Sequence, residues 1–124
     1  EFENLLPTGR LLPVSDVRLD FRVPRTIGAT RLNHCFAKPV RASDGRVVMR
    51  LSNADRAVTV WMDAAFDHLV VYTGDALPEG VARRSIAIEP MSCATDALNH
   101  AGWGLRRLAP GETLRGSWGV STDH

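Results

Sequence analysis

Apolar and polar positions alternate with a period of two along this chain, in short runs broken by turn residues. Over 17–23, Val17, Leu19, Phe21 and Val23 alternate with Arg18, Asp20 and Arg22. That pattern predicts a half-buried strand, closed by Pro24. Val47, Met49 and Leu51 alternate with Arg46, Val48 and Arg50, and Val58, Val60 and Met62 with Thr59 and Trp61. Ser43-Asp44-Gly45 before the first of these runs, and residues 52–56 between them, read as turns. Residues 69–73 are β-branched and aromatic and end at Gly74-Asp75. Short strands are expected at 10–12 and 31–37, and a last strand over 112–121 with Leu114, Trp118 and Val120 on one face. Pro7, Gly9 and Pro13 mark loop over 4–14, and Pro78 and Gly80 mark loop over 76–81. Residues 63–67 are a short connection with room for one helical turn.

No window sustains a 3.6-residue period. Seven or eight short strands separated by turns predict an all-β fold, an antiparallel β-sandwich or barrel with little helix. No repeat, low-complexity tract or linker divides the 124 residues, which suit a single domain with a real core.

The run 83–99 joins a strand pattern to chemistry. Ile86 and Ile88 fall on one side of an extended chain, and Ala87 and Glu89 on the other. Pro90 cannot donate to a ladder, so regular pairing is expected to end there, with Glu89 fixed at a strand end. An irregular stretch follows to residue 108. Carboxylates held at such junctions are open to ligands, although pattern alone favours a solvated or ion-paired glutamate.

Composition narrows the partners. Hydrophobic residues make up 44% and charged residues 23%, as in a globular protein. The net charge of +1 gives no basic stripe, so a nucleic-acid partner is not expected. Arg83-Arg84 reads as a solvated pair with one ion-pair partner. Lys38 is the only lysine among 15 basic residues. No apolar run approaches a membrane span, and the acidic start, with Glu1 and Glu3, does not resemble a signal peptide. Cys35 and Cys93 form no Cys-x-x-Cys motif and read as reduced thiols of a cytoplasmic protein. His34, His68, His100 and His124 show no metal-ligand spacing with them, so neither a metal nor another cofactor is expected.

Several motifs follow one another in a distinctive order. They are Leu6-Pro7-Thr8-Gly9, Asp20-Phe21-Arg22, Leu32-Asn33-His34-Cys35-Phe36 and Val71-Tyr72-Thr73-Gly74. The stretch 88–99, Gly104-Leu105, the run 108–112 and Trp118-Gly119-Val120 complete the series. The chain resembles the C-terminal portion of the aldose 1-epimerases, or galactose mutarotases, over nearly its whole length. The resemblance implies a partial β-sandwich of the mutarotase type, with residues 1–124 one domain matching the C-terminal part of a larger sandwich.

It also implies a reaction, the interconversion of α and β anomers of a hexose by acid/base ring opening. Glu89 takes the place of the family's general base. The family's acid histidine lies upstream of this chain, and none of the four histidines here sits in that motif. Asn33 stands where the family has a sugar-binding aspartate, keeping hydrogen-bonding capacity without the charge. Tyr72 either faces the ligand or turns its hydroxyl inward. Among the tryptophans, Trp118 is expected in the core with Leu114 and Val120. Trp61, Trp103 and Trp118 could each offer a stacking face for a sugar ring, and Trp103, in the irregular stretch with Gly102 and Gly104, is the better candidate for a site wall. Asp96 and Asn99 are expected to fix their loop by side chain to backbone hydrogen bonds. Two other functions fit a chain without its acid: a non-catalytic carbohydrate-binding module, and a structural remnant. The missing strands also imply self-association or pairing with a missing N-terminal portion.

Overall fold

The computed structural model describes residues 6–123 and, by backbone alone, residues 2–3. Glu1, Asn4, Leu5 and His124 lie outside the described residues. Among the described residues there are eight strands: β1 (Phe2–Glu3), β2 (Leu6–Pro7), β3 (Asn33–Ala37), β4 (Val47–Ser52), β5 (Ala57–Met62), β6 (His68–Tyr72), β7 (Ala87–Met91) and β8 (Trp118–Asp123). The only helical turn among the described residues is a 3-10 turn at Ala97–Asn99. None of their helical structure is long and apolar enough to cross a membrane.

Beyond a two-residue ladder of β1 with β2, the strands form two three-stranded antiparallel sheets. One has the order β3-β6-β7 and the other β4-β5-β8. The hairpin β4–β5 follows from its turn chemistry. The Asn53 side-chain oxygen accepts the N–H groups of Asp55 at 3.0 Å and Arg56 at 2.8 Å, an Asx turn that fixes the loop.

The two sheets share one core. In the second sheet Val47 lies opposite Met62, and Met49 opposite Val60, so all four side chains face one way. Leu69 and Val71 of β6, with Phe36 of β3 and Ile88 of β7, pack onto Val47 and Met62 from the first sheet. Met62 is fully buried. The alternation in β4, β5 and β6 thus reflects real burial, which makes this an all-β sandwich-like fold.

The run 17–23 is not a strand. Asp16 N–H bonds to the Pro13 carbonyl at 3.0 Å, and Leu19 N–H to that of Val14 at 2.8 Å, closing a turn. Asp20 Oδ1 then captures the Arg22 N–H at 3.0 Å and its Nε at 2.9 Å. That pairing holds the Asp20 carboxyl down at about 2. The local side-chain bonds satisfy backbone that a ladder would otherwise need, and Val23 is left 74% exposed. Residues 10–12 are also irregular.

The last strand is shifted to Trp118–Asp123, leaving Leu114 outside it. Trp118 lies opposite Met62 and Val120 opposite Val60, on the core side of their sheet as the pattern requires. Both are nonetheless more than half exposed, because β8 is an edge strand that the apposed sheet does not cover. Trp118 is therefore not a core residue among the described residues.

Pro90 does not end pairing. β7 continues through it, with Leu69 opposite Pro90 and His68 opposite Met91. β7 is an edge strand, and a missing N–H is tolerated where it points away from the only partner. Glu89 therefore sits inside the strand rather than at its end.

A polar latch ties the end of β6 to the loops beside it. The buried Thr73 hydroxyl accepts the Leu32 N–H at 2.9 Å and donates to the Asp75 carboxylate. Arg83 reaches Asp75 at 2.6 Å and the Gly28 carbonyl at 2.7 Å. The Thr73 hydroxyl first, and then Arg83, hold the Asp75 carboxyl below the usual carboxylate range. Arg83 is thus the paired member of Arg83-Arg84, while Arg84 bonds the Gly80 carbonyl.

Two predictions follow from the core and the latch. Met62→Ala should lower unfolding free energy by about 2 to 5 kcal/mol in urea titrations, while Val120→Thr, on the exposed edge, should change it by less than about 0.5 kcal/mol. A carboxylate whose folded value is depressed stabilises the fold fully above its unfolded value. That stabilisation is lost as pH falls through the folded value. Arg83→Gln should therefore raise the Asp75 midpoint in a carbonyl-carbon NMR titration, and make the loss of stability over that acid window shallower.

Candidate functional site

The register of the first sheet decides which side chains share its open face. β6 pairs with both neighbours, so each of its residues heads a row of three. Tyr72 lies between Asn33 and Ala87, Val70 between Cys35 and Glu89, and His68 between Ala37 and Met91. Residues directly opposite one another point to the same side. The remaining rows, with Phe36, Leu69, Val71 and Ile88, face the core. Asn33, Tyr72 and Glu89, three residues singled out from the sequence, therefore stand together on the face turned away from the core.

Glu89 is exposed, flanked on its own strand by the half-buried Ala87 and Met91. Asn33 is also exposed. The Tyr72 hydroxyl accepts the Ala76 N–H at 3.1 Å, so one of its lone pairs braces the loop after β6. Its proton can still be donated to a ligand. Surface clefts lined by Thr73, Arg83 and Ile86, and by Asp44, Asp63 and Arg115, do not include Glu89. On the face that carries Glu89, Asn33 and Glu89 are exposed, and His68, Val70 and Tyr72 are half-buried.

The irregular stretch after β7 folds back toward the other end of this face. Ala94 N–H bonds to the Trp103 carbonyl at 3.0 Å. Asp96 has φ 65° and is bonded by the Asn99 side-chain amide at 2.5 Å and by His100 Nε2 at 3.1 Å. The loop is thus fixed by side chain to side chain bonds, where backbone partners were expected, because Asp96 in the left-handed region turns its carboxylate onto both neighbours. Trp103 stacks on His100 with ring centroids 3.9 Å apart.

Gly9, with φ +81°, lies under that indole, and a Cβ there would come within 2.7 Å of Trp103 Cζ2. Trp103 is therefore pinned between His100 and the Gly9 backbone rather than on the Glu89 row. Trp61 is on the opposite side of the molecule's other sheet, against Gly119 and under the Arg46 guanidinium at 4.4 Å, and lines no part of this face.

His68 received no role from the sequence. It begins the same row pattern as Val70 and Tyr72, and that parity was the available signal. Its Nδ1 lies 2.6 Å from Asp67 Oδ1. The Gly104 backbone passes close to it, for a Cβ there would lie 3.5 Å from His68 Cε1. His34 is on the core side of β3, and burial pushes its imidazole below the ordinary histidine value. Cys35 and Cys93 are free thiols, both half-buried. Among the described residues no three His, Cys, Asp or Glu side chains converge as a metal site.

The fold is thus an antiparallel, sandwich-like all-β structure in which a carboxylate, an amide and a phenol share one sheet face. The family model described as aldose 1-epimerase matches residues 1–121, and the chain belongs to that family. Family membership implies a sugar substrate and places the chain among the isomerases of carbohydrate metabolism. Comparison with curated proteins and with solved structures finds no match.

The packing of Trp103 on Gly9 is testable. Gly9→Ala places a Cβ against the indole at a left-handed backbone position, so it should shift the Trp103 indole N–H resonance and cost about 1 kcal/mol or more. Assignment by Trp103→Phe identifies the resonance, and an unmoved peak would contradict this packing.

Proposed function

We propose that this chain supplies the general-base half of an aldose 1-epimerase site, interconverting α and β anomers of a hexose with Glu89 as base. The observation that carries the reading is the exposed Glu89 sharing one face with Asn33 and Tyr72 in a member of this family. The reaction opens a cyclic hemiacetal. Glu89 takes the proton of the C1 hydroxyl, a carbonyl forms at C1, and the electrons of the bond from C1 to the ring oxygen pass to that oxygen. An acid protonates the ring oxygen as the bond breaks. Rotation about C1–C2 presents the other face of the carbonyl, and closure returns both protons by the reverse path. Asn33 and the Tyr72 hydroxyl supply hydrogen bonds to sugar hydroxyls.

On this reading the chain is a single domain corresponding to the C-terminal portion of a larger sandwich, acting within a longer enzyme or assembly. The exposed core-side residues Trp118 and Val120 on edge strand β8 favour pairing, with an N-terminal portion or with a second copy. The free thiols Cys35 and Cys93 favour a reducing compartment such as the cytoplasm. Asn33 favours a second reading, a carbohydrate-binding face without turnover, since it keeps hydrogen bonding and lacks the family's charge.

Polarimetry of freshly dissolved α-galactose or α-glucose tests the first reading. The mutarotation rate should rise with protein concentration, and Glu89→Gln should reduce that increment by about 100-fold or more. An increment that Glu89→Gln leaves unchanged would refute the role of Glu89. Saturable sugar shifts in NMR with no increment at all would establish the binding reading instead.

A further inference from the structure

We propose that β8 is a dimerisation edge, on which β8 of a second copy of this chain adds antiparallel about a two-fold axis, with Gly119 opposite Gly119 of the other copy. The proposal rests on the reading of β8 as an unfinished edge and deepens it, by naming the partner and the register.

The other three edges of the two main sheets are guarded. β7 carries Pro90, which has no N–H to give a further strand. β4 carries Arg50, with Arg46 immediately before the strand, and charge along an edge opposes addition. In β3 the Asn33 N–H is taken by His34 Nδ1 at 3.1 Å, and Lys38-Pro39 follows the strand. β8 has neither proline nor a basic residue, and Asp123, its last residue, is its only charge.

The ladder with β5 shows what that edge offers. Met62 lies opposite Trp118, and the next pair continues it, with Asp63 N–H bonded to the Ser117 carbonyl at 3.0 Å. Hydrogen-bonded positions alternate along an antiparallel pair. Ser117, Gly119, Ser121 and Asp123 therefore turn their backbone groups to β5, and Trp118, Val120 and Thr122 turn theirs outward. Trp118 and Val120 are also 57% and 56% exposed. Unpaired backbone and uncovered apolar side chains thus coincide at these two residues.

Self-complementarity selects a second copy. Outward-turned residues must meet outward-turned residues. With Gly119 at the axis, Trp118 lies opposite Val120 of the other copy, and the symmetry repeats the pair. Each pair exchanges two backbone hydrogen bonds and sets an aromatic against a β-branched side chain, a favourable cross-strand combination. On the outer side Ser117 lies opposite Ser121, and Arg115 opposite Asp123. Arg115 is exposed and has no hydrogen-bond or ion-pair partner among the described residues. Residues 112–117 contain no turn and no left-handed backbone, so Arg115 extends the line of the strand. Asp123 is exposed and holds Arg50 of its own chain at 2.5 Å. Arg115 of the second copy would complete an alternating Arg–Asp–Arg row at each end. A slip of two residues either way puts Asp123 opposite Ser117 or Thr113 and loses the charge pair. The outcome is one six-stranded sheet, β4-β5-β8 followed by β8-β5-β4 of the second copy. The face with Glu89 belongs to the other sheet and stays clear of it.

Sedimentation velocity of the whole chain tests the partner, and disulfide trapping tests the register. The unsubstituted chain should sediment as a dimer. Val120→Lys places a charge on the edge without entering the β5 ladder, and should raise the dimer dissociation constant by about tenfold or more. Arg115→Glu sets like charges opposite each other at both ends, and should raise it by about tenfold. The combined variant Ser117→Cys and Ser121→Cys should oxidise to a covalent dimer, while each single variant, with Cys35 and Cys93 unchanged, should not. A monomer at every concentration, a dimer that either charge substitution leaves intact, or a combined variant that forms no covalent dimer overturns the proposal. Polarimetry with galactose reads the catalytic proposal separately. A dimer whose mutarotation rate equals that of buffer keeps this inference and refutes turnover. A monomer with an increment that Glu89→Gln removes does the reverse.

Discussion

The register of β6 between β3 and β7 is the constraint on which the site depends. Leu69 and Val71 are drawn into the core with Phe36 and Ile88, against Val47 and Met62 of the apposed sheet. In an antiparallel sheet a slip of one residue would turn every apolar side chain outward. Burial therefore fixes not only which residues go in but which face out. His68, Val70 and Tyr72 are directed to the open face by the same energy that buries Leu69 and Val71. The two neighbouring strands follow, bringing Asn33 and Glu89 to that face. No side chain on this face needs a dedicated folding interaction to set its direction, because the core sets all of them at once.

The ends of the face are held by polar chemistry. Beyond Tyr72, the Thr73–Asp75–Arg83 latch joins β6 to the Gly28–Thr30 and 81–85 segments, and Thr73 N–H extends the pairing to the Leu32 carbonyl at 2.9 Å. Beyond His68, the loop with Asp96, His100 and Trp103 rests on the Gly9 backbone. These two anchors bracket the row of candidate ligand contacts. Both depend on backbone that approaches too closely for a side chain, or on a left-handed conformation, so their residue types are set by geometry rather than by contact with a sugar.

Much of this was legible in the sequence. The alternation of Val47, Met49 and Leu51 and of Val58, Val60 and Met62 reported true burial, and Ser43-Asp44-Gly45 and 52–56 marked true turns. What misled was alternation without a partner strand. Over 17–23 the pattern is as regular as in β4, but Asp20 binds the Arg22 backbone locally and the segment turns instead. Pro90 misled in the opposite sense, since a proline breaks a central strand and not an edge. Trp118 was assigned to the correct side of its strand, yet sidedness is not burial where the facing layer ends. Glu89, Asn33 and Tyr72 were singled out through resemblance, and only the register showed that they share one face of the sheet. The place of His68 on that face was not legible either, because a histidine beside an aspartate carries no signal until pairing shows which way it points.

The central claim is that the open face of the β3-β6-β7 sheet binds a hexose, and amide chemical-shift mapping during a galactose titration tests it most directly. The account predicts saturable shifts centred on Asn33, His68, Tyr72 and Glu89, with Val48, Arg50 and Thr59 on the outer face of the other sheet unmoved. Shifts centred on that outer face or on β8, or none at millimolar galactose, would contradict it.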